Sequence, residues 1–176
     1  MSKTIDILCV IDAETLADAI TNKTIAPGTL SKPTSLGDYS ASNVYVFMIT
    51  QGSRVVNDQA QSELTVDCEV GDNIRWTISN PGAGVNHSCM LYDFQSASIG
   101  TAITAPICLP LATKLYINGQ PDPQKPAAIA YTSSAWQCTA LAKTASVQYN
   151  WSFQLIDPTG KVVGYFSWDP FIKIDA

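Results

Sequence analysis

The strongest constraint on this chain is a strict two-residue repeat of apolar side chains that recurs along its length. In 62–70, Leu64, Val66, Cys68 and Val70 alternate with Glu63, Thr65, Asp67 and Glu69. In 74–79, Ile74, Trp76 and Ile78 alternate with Arg75, Thr77 and Ser79. In 147–155, Val147, Tyr149, Trp151, Phe153 and Leu155 alternate with Gln148, Asn150, Ser152 and Gln154. Successive side chains of a strand point to opposite faces, so this repeat fits antiparallel strands with one wet face and does not fit helices. Gly71-Asp72-Asn73, between the first two runs, reads as the loop of a β-hairpin. Asp157-Pro158-Thr159-Gly160 joins the third run to 161–168 as another hairpin, with proline presetting φ and glycine taking the left-handed position.

The remaining segments fill in around these strands. Ile5 to Ile11 is apolar on both faces and reads as a strand buried between layers. Asp12 then offers an N-cap, Glu14 lies in the first turn near the positive dipole end, and Ala13, Leu16, Ala17 and Ile20 share one face, which predicts one short helix. Residues 21–43 lack periodicity and read as a long ordered loop, with a turn at Pro27-Gly28. Strands are expected at 44–50 and 87–94, with a loop at 80–85 between the second alternating run and the latter strand. From 95 to 127 the chain reads as irregular, because Pro106, Pro110, Pro121, Pro123 and Pro126 exclude a central strand and leave only edges and crossing loops. The sum is a single all-β domain over 1–176: a two-sheet antiparallel sandwich, jelly-roll-like, with one short N-terminal helix. A closed barrel is the alternative. Leu64, Val66, Trp76, Ile78, Trp151 and Phe153 are the expected core.

Composition narrows function. With 176 residues the chain can bury roughly 70% of its unfolded surface, so it needs neither disulfide nor metal to hold a core. Only 14% of residues are charged, against an average of about 25%, while 46% are hydrophobic. The net charge is −5, and the basic residues are dispersed. No basic stripe is present to neutralise phosphates or to meet an anionic membrane, so neither nucleic acid nor membrane is an expected partner. The five cysteines, Cys9, Cys68, Cys89, Cys108 and Cys138, lie at wide spacing without a CxxC pair and read as buried free thiols in a reducing compartment. The opening MSKTIDILCVIDAE is interrupted by Asp6 and Asp12, and no apolar stretch approaches 18 residues. A cytoplasmic protein without a signal peptide is the expectation.

Chemistry-bearing motifs are sparse. His87 and Cys89, two apart on a strand, share a face as a nucleophilic pair would, but no local motif supports that role. One histidine and scattered cysteines do not make a zinc site, and no DxDxDG loop frames calcium. Asp122, Asp157, Asp169 and Asp175 read as turn formers and surface carboxylates. Phosphate-cradling glycine loops, GxSxG and HExxH are absent. The reading is therefore of a non-enzyme with no catalytic residues, no metal and no cofactor. Trp136 stands apart, set among small polar residues in 131–138. An aromatic platform flanked by amides and hydroxyls is the usual physics of sugar binding, whereas a tryptophan closing the end of a sandwich is the plainer account. A ligand site is expected in loops at one end of the sandwich, built from Trp136, Gln137, Tyr116, Asn118 and Gln120.

Both ends of the chain carry a family likeness. Ile5-Asp-Ile-Leu-Cys-Val-Ile-Asp12, with the capped helix after it, resembles the IDILxVID start of the bacterial inclusion-body proteins, the PixA and AidA-like family. Gly164-Tyr-Phe-Ser-Trp-Asp-Pro-Phe-Ile172 resembles that family's GYFxWDPxI ending. Between them, Val56-Asn57-Asp58-Gln59-Ala60 and Gly71-Asp72-Asn73-Ile74-Arg75-Trp76 are similar to its Gln-containing turn and its GDxxRW strand start; the stretch 95–145 diverges. The resemblance implies an abundant protein of late growth, often under quorum control, found in intracellular inclusions of host-associated bacteria. It implies no catalytic residues. Some members are methionine-rich, but this chain has three methionines, which does not fit a methionine store. The expected role is stored, structural or host-interacting, with self-association as a homodimer and a host protein or glycan as further partner. The alternative is a lectin-like module, and an unrecognised hydrolase is the third reading.

Overall fold

The computed structural model describes residues 2–37, 39–82 and 85–176, with only the backbone for 39–41. Part of the 80–85 loop therefore lies outside the described residues. The chain runs through β1 (Thr4–Ile11), α1 (Ala13–Thr21), β2 (Thr34–Ser35), α2 (Tyr39–Tyr45), β3 (Val46–Ile49), β4 (Val55–Asn57), β5 (Thr65–Glu69), β6 (Asn73–Ser79) and β7 (Ser88–Gln95). It continues through β8 (Ile107–Asn118), β9 (Pro126–Thr139), β10 (Thr144–Gln148), β11 (Asn150–Ile156), β12 (Val162–Trp168) and β13 (Phe171–Asp175). The strands form three mixed sheets, ordered β3-β1-β6-β9-β8, β10-β13-β5-β4 and β2-β12-β11-β7.

The expected β-rich fold is present, but two antiparallel sheets are not. Three pairs are parallel: β1 with β6, β5 with β13, and β2 with β12. The reason is visible at the corners. The runs at 62–70 and 74–79 do not form a hairpin: β5 joins β13 and β4, while β6 joins β1 and β9. Their apolar faces enter one core from different sheets, and a period-two pattern reports which face is buried without naming the strand alongside. Val70, expected inward, lies past the end of β5 and is exposed. The 147–155 run likewise changes sheet at Tyr149, whose N–H donates to Pro170 O at 3.1 Å, so β10–β11 and β12–β13 bend together. The hairpin over Asp157–Gly160 is as expected: Trp151 pairs with Trp168 and Phe153 with Phe166, Gly160 has φ +86°, and Asp157 Oδ1 accepts from the N–H groups of Thr159 and Lys161.

One hydrophobic cluster draws on all three sheets. Of the six expected core residues, Leu64, Val66, Trp76, Trp151 and Phe153 are fully buried, while Ile78 is half-buried against the cluster. In β1 only Ile5, Ile7, Cys9 and Ile11 are buried, whereas Leu8 is exposed, so this strand is not covered on both faces. Helix α1 begins as its cap dictates: Asp12 Oδ1 accepts Thr15 N–H at 3.1 Å, and Ala13 and Leu16 are buried.

Two segments read as irregular are ordered elements. Within 21–43 the chain forms most of α2, which also takes in the first two residues of the strand expected at 44–50. Its polar residues are fixed by tertiary bonds rather than by an apolar face: Asn43 Oδ1 accepts Ser62 N–H at 2.8 Å, and the Ser42 and Ser62 hydroxyls lie 2.7 Å apart in the interior. Within 95–127 lies β8, the longest strand but one. Its prolines obey the rule for strands: Pro110 sits on an edge strand, Pro126 opens β9, and Pro121 and Pro123 occupy the connecting turn. Gly119 is needed in that turn, because a Cβ there would lie 2.7 Å from Lys125 O.

Candidate functional site

Among the described strands, β8 and the first part of β9 are mostly exposed. Residues 107–118 pair with 137–126 without a register shift. β9 meets β6 only from Asn73↔Thr139 to Trp76↔Trp136, so over 126–135 its sole ladder partner is β8. The hairpin is thus an arm that runs beyond its sheet. Alternation places Ile107, Leu109, Leu111, Leu115 and Ile117 of β8 on one face, together with Ile129 and Tyr131 of β9. Five of these seven (Ile107, Leu115, Ile117, Ile129 and Tyr131) are between 43% and 58% exposed. The other positions on this face are Thr113, Ala127, Ser133, Ala135 and Gln137, so the face carries no charge. Lys114 and Tyr116 belong to the opposite face, and Lys125 pairs with Asp122 at the tip.

The five residues expected to form a ligand site are distributed along this arm. Trp136 lies at its base, facing the core, with its ring centroid 5.5 Å from that of Trp151 in an edge contact. Gln137 follows on the other face. Tyr116 and Asn118 lie eight and ten positions along β8 from Cys108, the partner of Trp136, which is roughly 26 Å and 33 Å of strand. Gln120 is in the tip turn. The structure brings Trp136 together with core aromatics, and not with Tyr116, Asn118 or Gln120. The sequence signal that did mark this region, the repeat Ile107-Leu109-Leu111-Leu115-Ile117, was hidden by Pro110 within it and by the prolines that flank it.

Elsewhere several reactive groups are engaged in holding the fold. His87 Nδ1 lies 3.0 Å from both Glu14 oxygens, and His87 N–H also donates to Glu14. That backbone bond, with the His87 ring, holds the Glu14 carboxyl below its usual range. The His87 ring is thus engaged by Glu14, and burial pushes the Cys89 thiol up to about 12, away from the thiolate form that a nucleophile needs. Burial does the same to Cys68 and Cys138, and more strongly to Cys9. Cys108, by contrast, is exposed on β8, which corrects the expectation of five buried thiols. Lys173 reaches Asp67 at 3.1 Å and Asp175 at 2.6 Å, and Arg75 pairs with Asp6. Among the described residues no three His, Cys, Asp or Glu side chains converge as a metal site requires.

A shallow polar cleft of about 580 Å³ lies at the corner where β10 passes into β11, lined by Gln95, Ser96, Ala97, Gln148, Tyr149, Asn150 and Asp169. Gln148 Nε2 donates to Asp169 Oδ2 at 2.7 Å and Ser96 Oγ to Gln148 O at 2.7 Å, so its floor is partly self-satisfied. In the sequence these residues look like the wet face of a strand and a turn aspartate. No helix among the described residues is long and apolar enough to cross a membrane.

This is a mixed-sheet β protein in which several reactive side chains brace the fold and one hairpin face carries a run of exposed apolar residues. The family model described as PixA, inclusion body protein, matches residues 3–174, and the chain belongs to that family. Among solved structures it is similar to the inclusion body protein of Burkholderia cenocepacia J2315, with a TM-score of 0.76 at 17% identity, covering 99% of this chain and 97% of that one. At that identity the likeness speaks to the fold alone. The solution structure of Amebosin matches with a TM-score of 0.26 at 11% identity over 70% of this chain and 93% of that one, too low to carry any argument. No curated protein matches the chain.

Proposed function

We propose that this chain is a non-enzymatic protein that accumulates in quantity and acts through self-assembly, as a stored, structural or host-interacting material. One observation carries the reading: five exposed large apolar side chains share one uncharged hairpin face, while His87 and Lys173 are paired within the fold. The largest apolar patch on a typical monomeric protein covers about 300–600 Å² and is often functional, which makes this face the natural place to look for a contact. The test is to express the intact chain at high level and fractionate gently lysed cells. Dense particles that release natively folded protein without denaturant are the expected result. Wholly dispersed protein at every expression level would refute the reading.

A second reading, glycan binding, draws support from the polar cleft rather than from Trp136. Its amides and the Asp169 carboxylate are the donor and acceptor set that fixes sugar hydroxyls. A glycan array on the purified chain, repeated with Asn150→Ala, tests it: binding lost with that substitution supports the cleft, and an empty array removes it.

A further inference from the structure

Resting on the self-assembly reading, we propose that the uncharged face of the β8–β9 arm is where one copy of the chain binds a second, face against face across a twofold axis. Three features of the arm point to a second copy rather than to some other occupant. The first is charge. Each chain carries a net −5, so two copies repel at long range, and a contact surface without charge adds least to that repulsion. A twofold contact sets each residue on the axis against its own duplicate, so a charge there meets a like charge. The face bearing Ile107, Leu115, Ile117, Ile129 and Tyr131 has none and is free of that penalty.

The second is the way the strand edge is blunted. β8 ends its sheet, and an open edge could instead extend the ladder into a neighbour. Pro110 removes one ladder donor in β8, and Lys114 stands midway along it, the two devices that discourage edge-to-edge pairing. The face has no such guard. Stacking is therefore the mode left open to this arm.

The third is area. Twelve residues of strand at about 3.3 Å rise and two strands at about 4.8 Å spacing give a face of roughly 40 by 10 Å. Two such faces cover about 800 Å² by projection alone. Side-chain relief adds to that and brings the contact towards the roughly 1,200 Å² at which specific interfaces begin. A recess beside the face, of about 440 Å³ and lined by Ile78, Ser88, Cys89, Leu115 and Tyr131 among others, receives side chains of the partner arm.

The test is sedimentation equilibrium of the full chain, wild type against Leu115→Glu and Ile129→Glu on the face and Tyr116→Glu on the opposite side. The wild type and Tyr116→Glu should be dimers. Each face variant should weaken dimerisation roughly 100-fold or more, since every dimer would hold two uncompensated charges in its contact. Circular dichroism should match the wild type, because these side chains are solvent-exposed in the single chain, and melting should match it at dilutions where the wild type too is monomeric. Face variants that still dimerise like the wild type would overturn the proposal while leaving self-assembly through another surface standing. Dimers lost equally with Tyr116→Glu would also overturn it, since the contact would then span both sides of the arm. A wild type monomeric at high concentration would overturn both the proposal and the assembly reading, and monomers that pellet with phosphatidylcholine vesicles would assign the face to lipid instead.

Discussion

Trp136 closes one end of a ring cluster that includes Trp76, Phe94, Tyr149 and Trp151, with Trp76 Nε1 donating to the Tyr149 hydroxyl at 3.1 Å. Of its neighbours in sequence, Thr132, Ser133 and Ser134 lie where β9 pairs with β8 alone, whereas the indole sits at the base of the arm, beside buried Ala135. Trp136→Ala should therefore lower unfolding stability by about 3 kcal/mol in denaturant titration, as truncation of a packed aromatic does. A loss below about 0.5 kcal/mol would return the ring to the surface. The thiols make a sharper test at this scale. Native protein should give one fast-reacting thiol, Cys108, while Cys9, Cys68, Cys89 and Cys138 react slowly because burial disfavours their thiolates. Unfolded protein should release all five. Native protein with no fast thiol would show that β8 does not stand open to solvent, and a fast thiol kept in Cys108→Ser would show that one of the other four is accessible.

At the scale of elements, the corners between sheets carry the design, and Asp72 holds one of them. It is buried at the β5–β6 turn, where Oδ1 accepts Lys3 N–H at 2.8 Å and Oδ2 accepts Glu69 N–H at 3.1 Å. Burial pushes its carboxyl up, but the two backbone donors, with the charges of Arg54 and Lys3, more than offset this and leave its pKa below the ordinary aspartate value. Asp72→Ala should cost about 3 kcal/mol by orphaning two N–H groups, with Asp72→Asn intermediate because it retains one acceptor. Since the folded pKa is depressed, this contribution is complete above the unfolded value of about 3.9 and fades as pH falls through the lower folded one. Acid unfolding followed by tryptophan fluorescence should therefore begin at higher pH in Asp72→Asn. Much at this scale was legible in the sequence: the Asp12 cap, the Asp157–Gly160 hairpin and the buried faces of β5, β6 and β11 all follow from local chemistry. The parallel neighbours, the sheet changes at Asp72 and Tyr149, and α2 do not. They depend on contacts between residues distant in sequence, such as Asn43 with Ser62 and Lys3 with Asp72, for which no local pattern exists.

For the whole molecule, low charge and a long apolar arm belong to one argument. The sequence announced a sparsely charged β protein, and family-like motifs lie at both ends, where the strands are buried. The arm arises in the stretch where that likeness lapses, and its apolar repeat reads as a face only once the register with β9 is known. If copies meet through an uncharged face, the force opposing association is the mutual repulsion of net charge. That repulsion is screened by salt and vanishes near the isoelectric point of about 4.6. Adding sodium chloride at pH 7, or lowering pH to about 5, should therefore tighten the dimer several-fold in sedimentation equilibrium, and sulfate should do more by strengthening apolar burial. The fold should persist through this range, because Asp72, Asp157 and Asp175 all have depressed pKa values and lose their contributions only at more acid pH. Leu115→Glu should show little response, having little dimer to tighten. Association that weakens as salt rises would mean that ion pairs hold the copies together, and the uncharged face would then not be the contact.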